Sequence, residues 1–387
     1  MRAAPSARAA LARVLGAGAL LVLAACSSVP QWPARATAFG ERVDTTVDSP
    51  IASYYLERYL TGARGDAALD ARIGELHRRH GAARPGRGDL AALARESSVD
   101  FAALFLAERL LADECNRVLN REFAALAARA PDQPAQAPRY LLLFVPGWDY
   151  VENGHATGAD FARPRALAAR HGFESVLAPL EPNGVIDRNA GILAAEIARQ
   201  SRRGRKLIVA SASSAGPTVH VALAELLAPR ELDAVAGWVN VGGILQGSPI
   251  VEHLLEWPQR PFFELGVLWK GWSREAVVSL GTTLGRARFA RLRLDPRTPV
   301  VDYVGIPLSG QVGAHARSNY GVLAREGPND GLTLLADALA PGSRVVIALG
   351  ADHFFQDPRM DRKTVALMQL MVRLADGDPA LSCAPRG

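Results

Sequence analysis

The sequence predicts an α/β protein with a mostly parallel sheet, helices on both faces of that sheet, and a helical region in front of it. From residue 138 onward, short apolar runs alternate with amphipathic segments, which is typical of βαβ units. The runs are almost continuously apolar, as strands covered on both faces are. The chain has 387 residues, 49% of them hydrophobic, which is enough for one large core with additions.

The chain begins with a segment typical of a bacterial export signal, which we assign to residues 1–25. An apolar stretch at 14–25 follows a positively charged start, and it is shorter than the roughly 20 residues that span a bilayer. The stretch ends in the sequence LAAC, which resembles a lipobox and predicts lipidation of Cys26. We therefore expect a membrane-anchored envelope lipoprotein, on the periplasmic side of the outer membrane if the host is Gram-negative.

The formal charge of +5 does not indicate a nucleic-acid partner. Arg2, Arg8 and Arg13 lie in the predicted signal segment, and without them the charge falls to +2. No basic cluster is interleaved with aromatic residues, as nucleic-acid contacts would require. The sequence does not indicate an oligomeric state.

The rest of the chain divides by composition. Residues 26–50 are polar and contain proline, so we expect a tether there. Residues 51–137 show helical periodicity and predict a helical N-terminal region, and 138–383 form the α/β domain. An apolar insertion at 249–298, rich in tryptophan, predicts a cap or lid. The predicted strands lie at 140–145, 174–178, 206–210, 234–241, 300–304 and 344–349.

A run of small residues, SASSAGP at 211–217, follows the strand at 206–210 and precedes a predicted helix. Ligand sites in parallel sheets form beyond the carboxyl ends of the strands. A serine nucleophile in this fold class needs a sharp strand-to-helix turn with small flanking residues. Two frames satisfy that pattern, one with Ser213 and one with Ser214 at the nucleophile. A helix N-cap rich in small residues is the other interpretation.

Three further loops after predicted strands carry candidate residues. The loop after 140–145 begins with Pro-Gly-Trp, and it would supply the Trp148 amide to an oxyanion hole beside the Ser214 amide. Asp330, in the sequence GPNDGL, would orient a histidine. His353, just past the last strand, stands where a general base is expected. Asp352 is the weaker candidate for the acid, because adjacent residues of an extended segment point in opposite directions.

The order Ser, Asp, His, each in a loop beyond a strand, resembles the α/β-hydrolase superfamily over about residues 138–375. Relatives with the motif G-H-S-x-G-G-P align with 211–217 so that Ser213 is the nucleophile, and the N-D-G sequence around Asp330 is similar to the acid loop of bacterial lipases. The resemblance implies a serine hydrolase of carboxylic esters, an esterase, lipase or thioesterase, which works through an acyl-enzyme. Its partner would be a small-molecule or lipid ester.

Two other functions fit the same residues. An acyltransferase would use the same triad with a hydroxyl compound in place of water, and a catalytically silent envelope protein would keep only the fold. The chain contains no P-loop, no dinucleotide-binding glycine motif and no HExxH, so we expect no cofactor and no metal.

The insertion and the remaining cysteines and histidines give weaker expectations. Apolar residues of the insertion, among them Phe262, Leu265 and Leu268, favour an acyl pocket. Once Cys26 is acylated, Cys115 and Cys383 remain. They either form a disulfide with each other, or Cys115 is simply a buried thiol. Among the histidines, His155 is a candidate substrate contact, and His220 is expected to be a satisfied core residue.

Overall fold

The computed structural model describes residues 31–81, 84–129 and 137–382. The predicted signal segment and Cys26 lie outside these residues. Where a tether was expected, the described chain begins with an antiparallel hairpin of strands β1 (Trp32–Ala38) and β2 (Glu41–Val47). The tether prediction is therefore wrong over this hairpin. Its polar side chains face solvent, while small and β-branched residues between them are buried, namely Ala34, Ala38, Val43 and Val47.

Helices then fill most of the N-terminal region. Polar residues begin several of them by accepting backbone N–H bonds, as Ser98 and Asp113 do. These helices are α1 (Pro50–Tyr54, continued by a π-helical turn at Tyr55–Tyr59), α2 (Ala67–His80), α3 (Arg87–Glu96), α4 (Val99–Ala112) and α5 (Glu114–Ala128).

The centre of the molecule is a six-stranded sheet in the order β4-β3-β5-β6-β7-β8. All of its neighbouring strands pair in parallel. The carboxyl ends of the strands therefore meet at one edge, where the predicted site residues were expected. The strands are β3 (Tyr140–Val145), β4 (Glu174–Leu177), β5 (Lys206–Ala212), β6 (Val235–Val241), β7 (Val300–Ile306) and β8 (Arg344–Leu349).

Helices connect these strands, and several of them form the insertion between β6 and β7. In the part of the chain that the structure describes, no helix is both long and apolar enough to cross a membrane. The helices after β3 are α6 (Gly154–Thr157), α7 (Ala162–Arg170), α8 (Ile186–Ser201), α9 (Ala215–Val221, continued by a π-helical turn at Ala222–Leu226), α10 (Pro229–Leu232), α11 (Pro249–Leu255), α12 (Arg260–Lys270), α13 (Arg274–Ser279), α14 (Thr282–Arg291), α15 (Ala314–Leu323) and α16 (Met360–Ala375).

Alternate residues of the strands belong to different hydrophobic clusters, which shows that both faces of the sheet are covered. Helices α5, α7 and α16 pack on one face, which includes Tyr303 and Val346. Helices α8 and α9 pack on the other, where α4 also contacts Val345 and Ile347. The N-terminal helices thus complete both layers at the β7–β8 end of the sheet and share its core.

Helix α5 also closes the exposed edge of strand β8. Asn116 accepts a hydrogen bond from the Val345 amide at 2.8 Å. Asn120 accepts one from the Ile347 amide at 2.9 Å and donates one to the Val345 carbonyl at 2.7 Å. An unpaired strand edge is a template for pairing with another chain, so these two asparagines satisfy backbone groups that a seventh strand would otherwise bond.

Cys115, at the start of α5, is disulfide-bonded. It is therefore not the free buried thiol that was the alternative expectation. The other half of the predicted pair, Cys383, lies outside the described residues. The last described residues contact α5, since the 3₁₀ turn Pro379–Leu381 packs against that helix.

Candidate active site

Ser213 occupies a sharp turn between strand β5 and helix α9. Its φ angle is +55°, a left-handed conformation that costs a residue with a side chain about 1–3 kcal/mol. Its amide donates to the Val241 carbonyl at 3.1 Å, which ties the turn to the neighbouring strand. The turn is crowded, because a Cβ on Gly216 would stand only 2.8 Å from Asn240 Oδ1. The small residues of the SASSAGP run are therefore a steric requirement of this turn.

His353 lies between the other two predicted site residues. Its Nε2 atom is 2.9 Å from Ser213 Oγ, and its Nδ1 atom is 2.8 Å from Asp330 Oδ2. A carboxylate beside Nδ1 accepts the proton held there, so Nε2 is left to accept the serine proton. Asp330 is 2% exposed and His353 8%, so bulk water competes little for these bonds.

The loop that carries Asp330 is fixed from several sides. Its Oδ1 atom accepts the amides of Leu332 and Thr333, both at 2.8 Å, and its carbonyl accepts the His353 amide at 2.8 Å. The Thr333 hydroxyl donates to the Gly247 carbonyl at 2.9 Å, and Ser248 Oγ donates to the Leu332 carbonyl at 2.5 Å. The sequence did not identify Thr333 and Ser248 as positioning residues, because their contacts join segments that are far apart in the chain.

The two alternative candidates lie elsewhere. Ser214 starts α9 in a right-handed helical conformation, and its carbonyl accepts the Thr218 hydroxyl at 3.4 Å. Asp352 accepts the amides of Gly313 at 2.8 Å and Phe354 at 3.0 Å, so its carboxylate is directed to the loop before α15. The structure thus brings Ser213, and neither of these residues, to the histidine–aspartate pair.

The loop after β3 stands beside the serine. A Cβ on Gly147 would lie 3.2 Å from the Ala212 carbonyl oxygen and 3.6 Å from Ser213 Cβ, so the backbones approach closely there. The amides on either side of Trp148 are used: Gly147 donates to Ala159, and Asp149 donates to Asn183. Among residues 31–81, 84–129 and 137–382, the amides of Trp148 and Ser214 have no acceptor, which leaves both available to an oxyanion.

The insertion packs on this same loop. The Trp148 and Trp272 rings meet edge to face, with centroids 5.4 Å apart. Both belong to an apolar cluster with residues of α8, α11 and the segment around α12 and α13. The insertion therefore covers the Trp148 side of the site as a helical cap.

A cavity of about 710 Å³ opens at Ser213 and His353. It runs between the sheet and helices α7 and α16. The acyl pocket that was expected from the insertion is not found there, because none of residues 249–298 lines this cavity. Phe262, Leu265 and Leu268 are exposed on the outer face of α12 instead. His155 does lie in the cavity wall, at its exposed rim.

His220 is buried, as expected, but it is not a satisfied core histidine. It packs against Trp238 and Phe289, and neither ring nitrogen has a hydrogen-bond partner among the described residues. Burial lowers its pKa to about 4. Within the described ranges, no group of three His, Cys, Asp or Glu side chains is arranged to hold a metal ion.

Comparison with solved structures gives the class of fold. The chain is similar to the metagenomic carboxyl esterase MGS0156, with a TM-score of 0.53 and 20% identity over 68% of this chain and 91% of that one. It is also similar to the propeptide form of the Bacillus licheniformis lipase BlEst2, with a TM-score of 0.50 and 18% identity over 64% of this chain and 52% of that one. The chain therefore has the α/β-hydrolase fold. No family model and no curated protein matches it.

Proposed function

We propose that the protein is a serine hydrolase of carboxylic esters, with Ser213 as nucleophile, His353 as general base and Asp330 as the residue that orients the histidine. The observation that carries the proposal is the pair of hydrogen bonds made by one imidazole, 2.9 Å to Ser213 and 2.8 Å to Asp330. A surface serine and a loop histidine have no structural need for this alignment. It is the arrangement that activates a hydroxyl for attack.

The reaction has two halves. Ser213 Oγ attacks the ester carbonyl while its proton moves to His353 Nε2, and the amides of Trp148 and Ser214 bind the carbonyl oxygen as it becomes negative. The C–O bond of the ester then breaks, and the alcohol leaves with the proton from the histidine. Water next gives its proton to His353 and attacks the acyl-enzyme, which releases the acid and restores Ser213.

The two similar structures are an esterase and a lipase by name, which supports an ester as the substrate. An acyltransferase would use the same groups and pass the acyl chain to a hydroxyl compound, so product analysis with and without added alcohols separates the two reactions. A catalytically silent binding protein would not need a serine with a strained φ angle of +55° beside an aligned histidine.

A fluorophosphonate probe tests the proposal directly, because it reacts with an activated serine. We expect the full-length protein to label and to hydrolyse p-nitrophenyl butyrate, and we expect both activities to disappear together when the protein is pre-treated with the probe. A protein that is folded, by circular dichroism, but neither labels nor hydrolyses any ester would contradict the proposal.

We further propose that the enzyme acts at the bacterial envelope, held there by acyl chains on Cys26. The support is the LAAC sequence after a short apolar segment. Two or more acyl chains on one residue are enough for stable anchoring.

A further inference from the structure

The cavity below Ser213 extends deep into the core. On strand β5 the cavity wall includes Ile208, Ala210 and Ala212, which are alternate residues and so face one side of the sheet. At ~3.3 Å per residue, the wall descends about 13 Å from Ala212 to Ile208. The opposite wall is formed by helix α16, from Met360 to Met371.

Small side chains on a central strand create this space. Ala210 and Ala212 are only partly buried, although β5 has a neighbouring strand on each side and helices on both faces. Protein interiors are normally close-packed, with few voids larger than a water molecule. A cavity of about 710 Å³ is in the size range of ligand pockets and is far larger than the voids of a close-packed interior.

The chemistry of the wall changes with depth. The charged residues of the wall, such as Asp149 and Arg163, come from loops and helix starts near the surface. The residues farther in are apolar: Phe144, Ile208, Val239, Leu367, Met368 and Met371. A ligand that fills the cavity therefore has a polar end at Ser213 and an apolar tail. Methionine side chains adapt their shape, which suits a flexible hydrocarbon tail.

The floor lies at Met371. A Cβ on Gly237 would stand 2.6 Å from Met371 Cε, so the methionine methyl fills the space that this glycine leaves on β6. The depth of the cavity and the position of its floor set the length of the hydrocarbon chain that it accepts. An extended hydrocarbon advances roughly 1.3 Å per carbon, so a depth of about 13 Å accepts some eight to ten carbons.

On the basis of the proposed ester hydrolysis, we propose that the substrate is an ester of a medium-length acyl chain, and that this chain lies between β5 and α16 with its end at Met371. Ala210 lies two residues, about 7 Å, below the level of Ala212, and its small side chain keeps the channel open there. The alcohol part of the ester would then leave on the side of the rim loops and the cap.

The test is a series of p-nitrophenyl esters from acetate to dodecanoate, with kcat/KM measured below the micelle-forming concentration for the wild type and for Ala210→Leu. The wild type should prefer octanoate and decanoate to acetate. Ala210→Leu should lower kcat/KM for decanoate by about tenfold or more, because methylenes kept out of the channel stay in water. Its loss of kcat/KM for acetate should be several times smaller than its loss for decanoate, because acetate does not reach residue 210.

Two further variants complete the design. Ala210→Val is a smaller substitution that replaces Ala210→Leu if that variant does not fold. It should also lower kcat/KM more for decanoate than for acetate, by a smaller factor. Ala71→Leu adds the same side chain on an exposed position of α2 and should leave the whole series unchanged. An equal loss of kcat/KM for acetate and decanoate in the Ala210 variants, or no loss for either ester, would refute the proposal that the acyl chain lies in this channel.

Failure of the proposed hydrolysis gives a different result. If the wild type hydrolyses no ester of the series, titration calorimetry with the free fatty acid anion decanoate still tests the channel. Decanoate should bind the wild type, and Ala210→Leu should bind it about tenfold more weakly. Absence of decanoate binding to the wild type would then overturn this inference as well.

Discussion

The Nε2 atom of His353 lies 2.9 Å from Ser213 Oγ, although 140 residues separate the two in the chain. The serine follows strand β5, near the middle of the sheet, and the histidine follows β8, at its edge. They meet because parallel strands end at one edge of the sheet and the loops beyond them converge.

The first prediction concerns the choice between the two adjacent serines. Ser213→Ala should abolish fluorophosphonate labelling and ester hydrolysis, because it removes the hydroxyl that bonds His353. Ser214→Ala should keep appreciable labelling, because this residue contributes its backbone amide to the site and an alanine retains that amide. In-gel fluorescence of equal amounts of the two folded variants checks the result. The reverse pattern would transfer the nucleophile to Ser214.

The second prediction concerns the acid. Asp330→Asn should lower kcat by about 10³–10⁴-fold, because an amide nitrogen facing Nδ1 favours the wrong tautomer of His353. The loop should survive, since an asparagine oxygen still accepts the amides of Leu332 and Thr333. Asp352→Asn is the matched control, and it should keep most of the activity because its carboxylate bonds a different loop. A severe loss in Asp352→Asn with little loss in Asp330→Asn would refute the assignment.

The third prediction concerns stability against pH. Asp100 is fully buried in α4, and burial, with Asp48 nearby, raises the pKa of its carboxyl from 3.8 to about 7. Hydrogen bonds from Ser309 and Tyr320 do not offset the burial. The folded state therefore holds this proton more tightly than the unfolded state, so the contribution to stability is fully present below about pH 4 and is lost as pH rises through 7.

Urea unfolding of the wild type and Asp100→Asn between pH 4 and pH 8 checks this sign. The stability of the wild type relative to the variant should fall steadily as pH rises across that window, because only the wild type carries the titrating carboxyl. A difference that stays constant, or one that grows with pH, would show that the buried carboxyl is ionised throughout.

The fourth prediction concerns the anchor. Cys26→Ser should abolish metabolic palmitate labelling, because the lipidated residue is lost, and the variant should be either released or retained with an uncleaved signal. Wild-type protein should take up label and sediment with membranes. Fractionation and labelling of both forms measure this. Unlabelled wild type in the soluble periplasmic fraction would refute the lipoprotein proposal and leave the hydrolase proposal untouched.

Much of the α/β domain could be predicted because its signals are local. Apolar runs such as 140–145 and 345–349 mark strands covered on both faces, and the observed β3 and β8 include these ranges. The hairpin at 32–47 was missed because its buried residues are few, small and separated by polar ones, so its composition is that of a linker.

Local patterns were enough to predict the fold class and the chain order serine, Asp330, His353, because strand patterns and turn residues are properties of short segments. The choice between Ser213 and Ser214 required the folded structure, because it depends on a loop from the far edge of the sheet. It also decided that the cavity lies against α16 and that Asn116 and Asn120 bond the edge of β8. These outcomes depend on which surfaces pack together, and apolar periodicity specifies that a face is buried without specifying its partner.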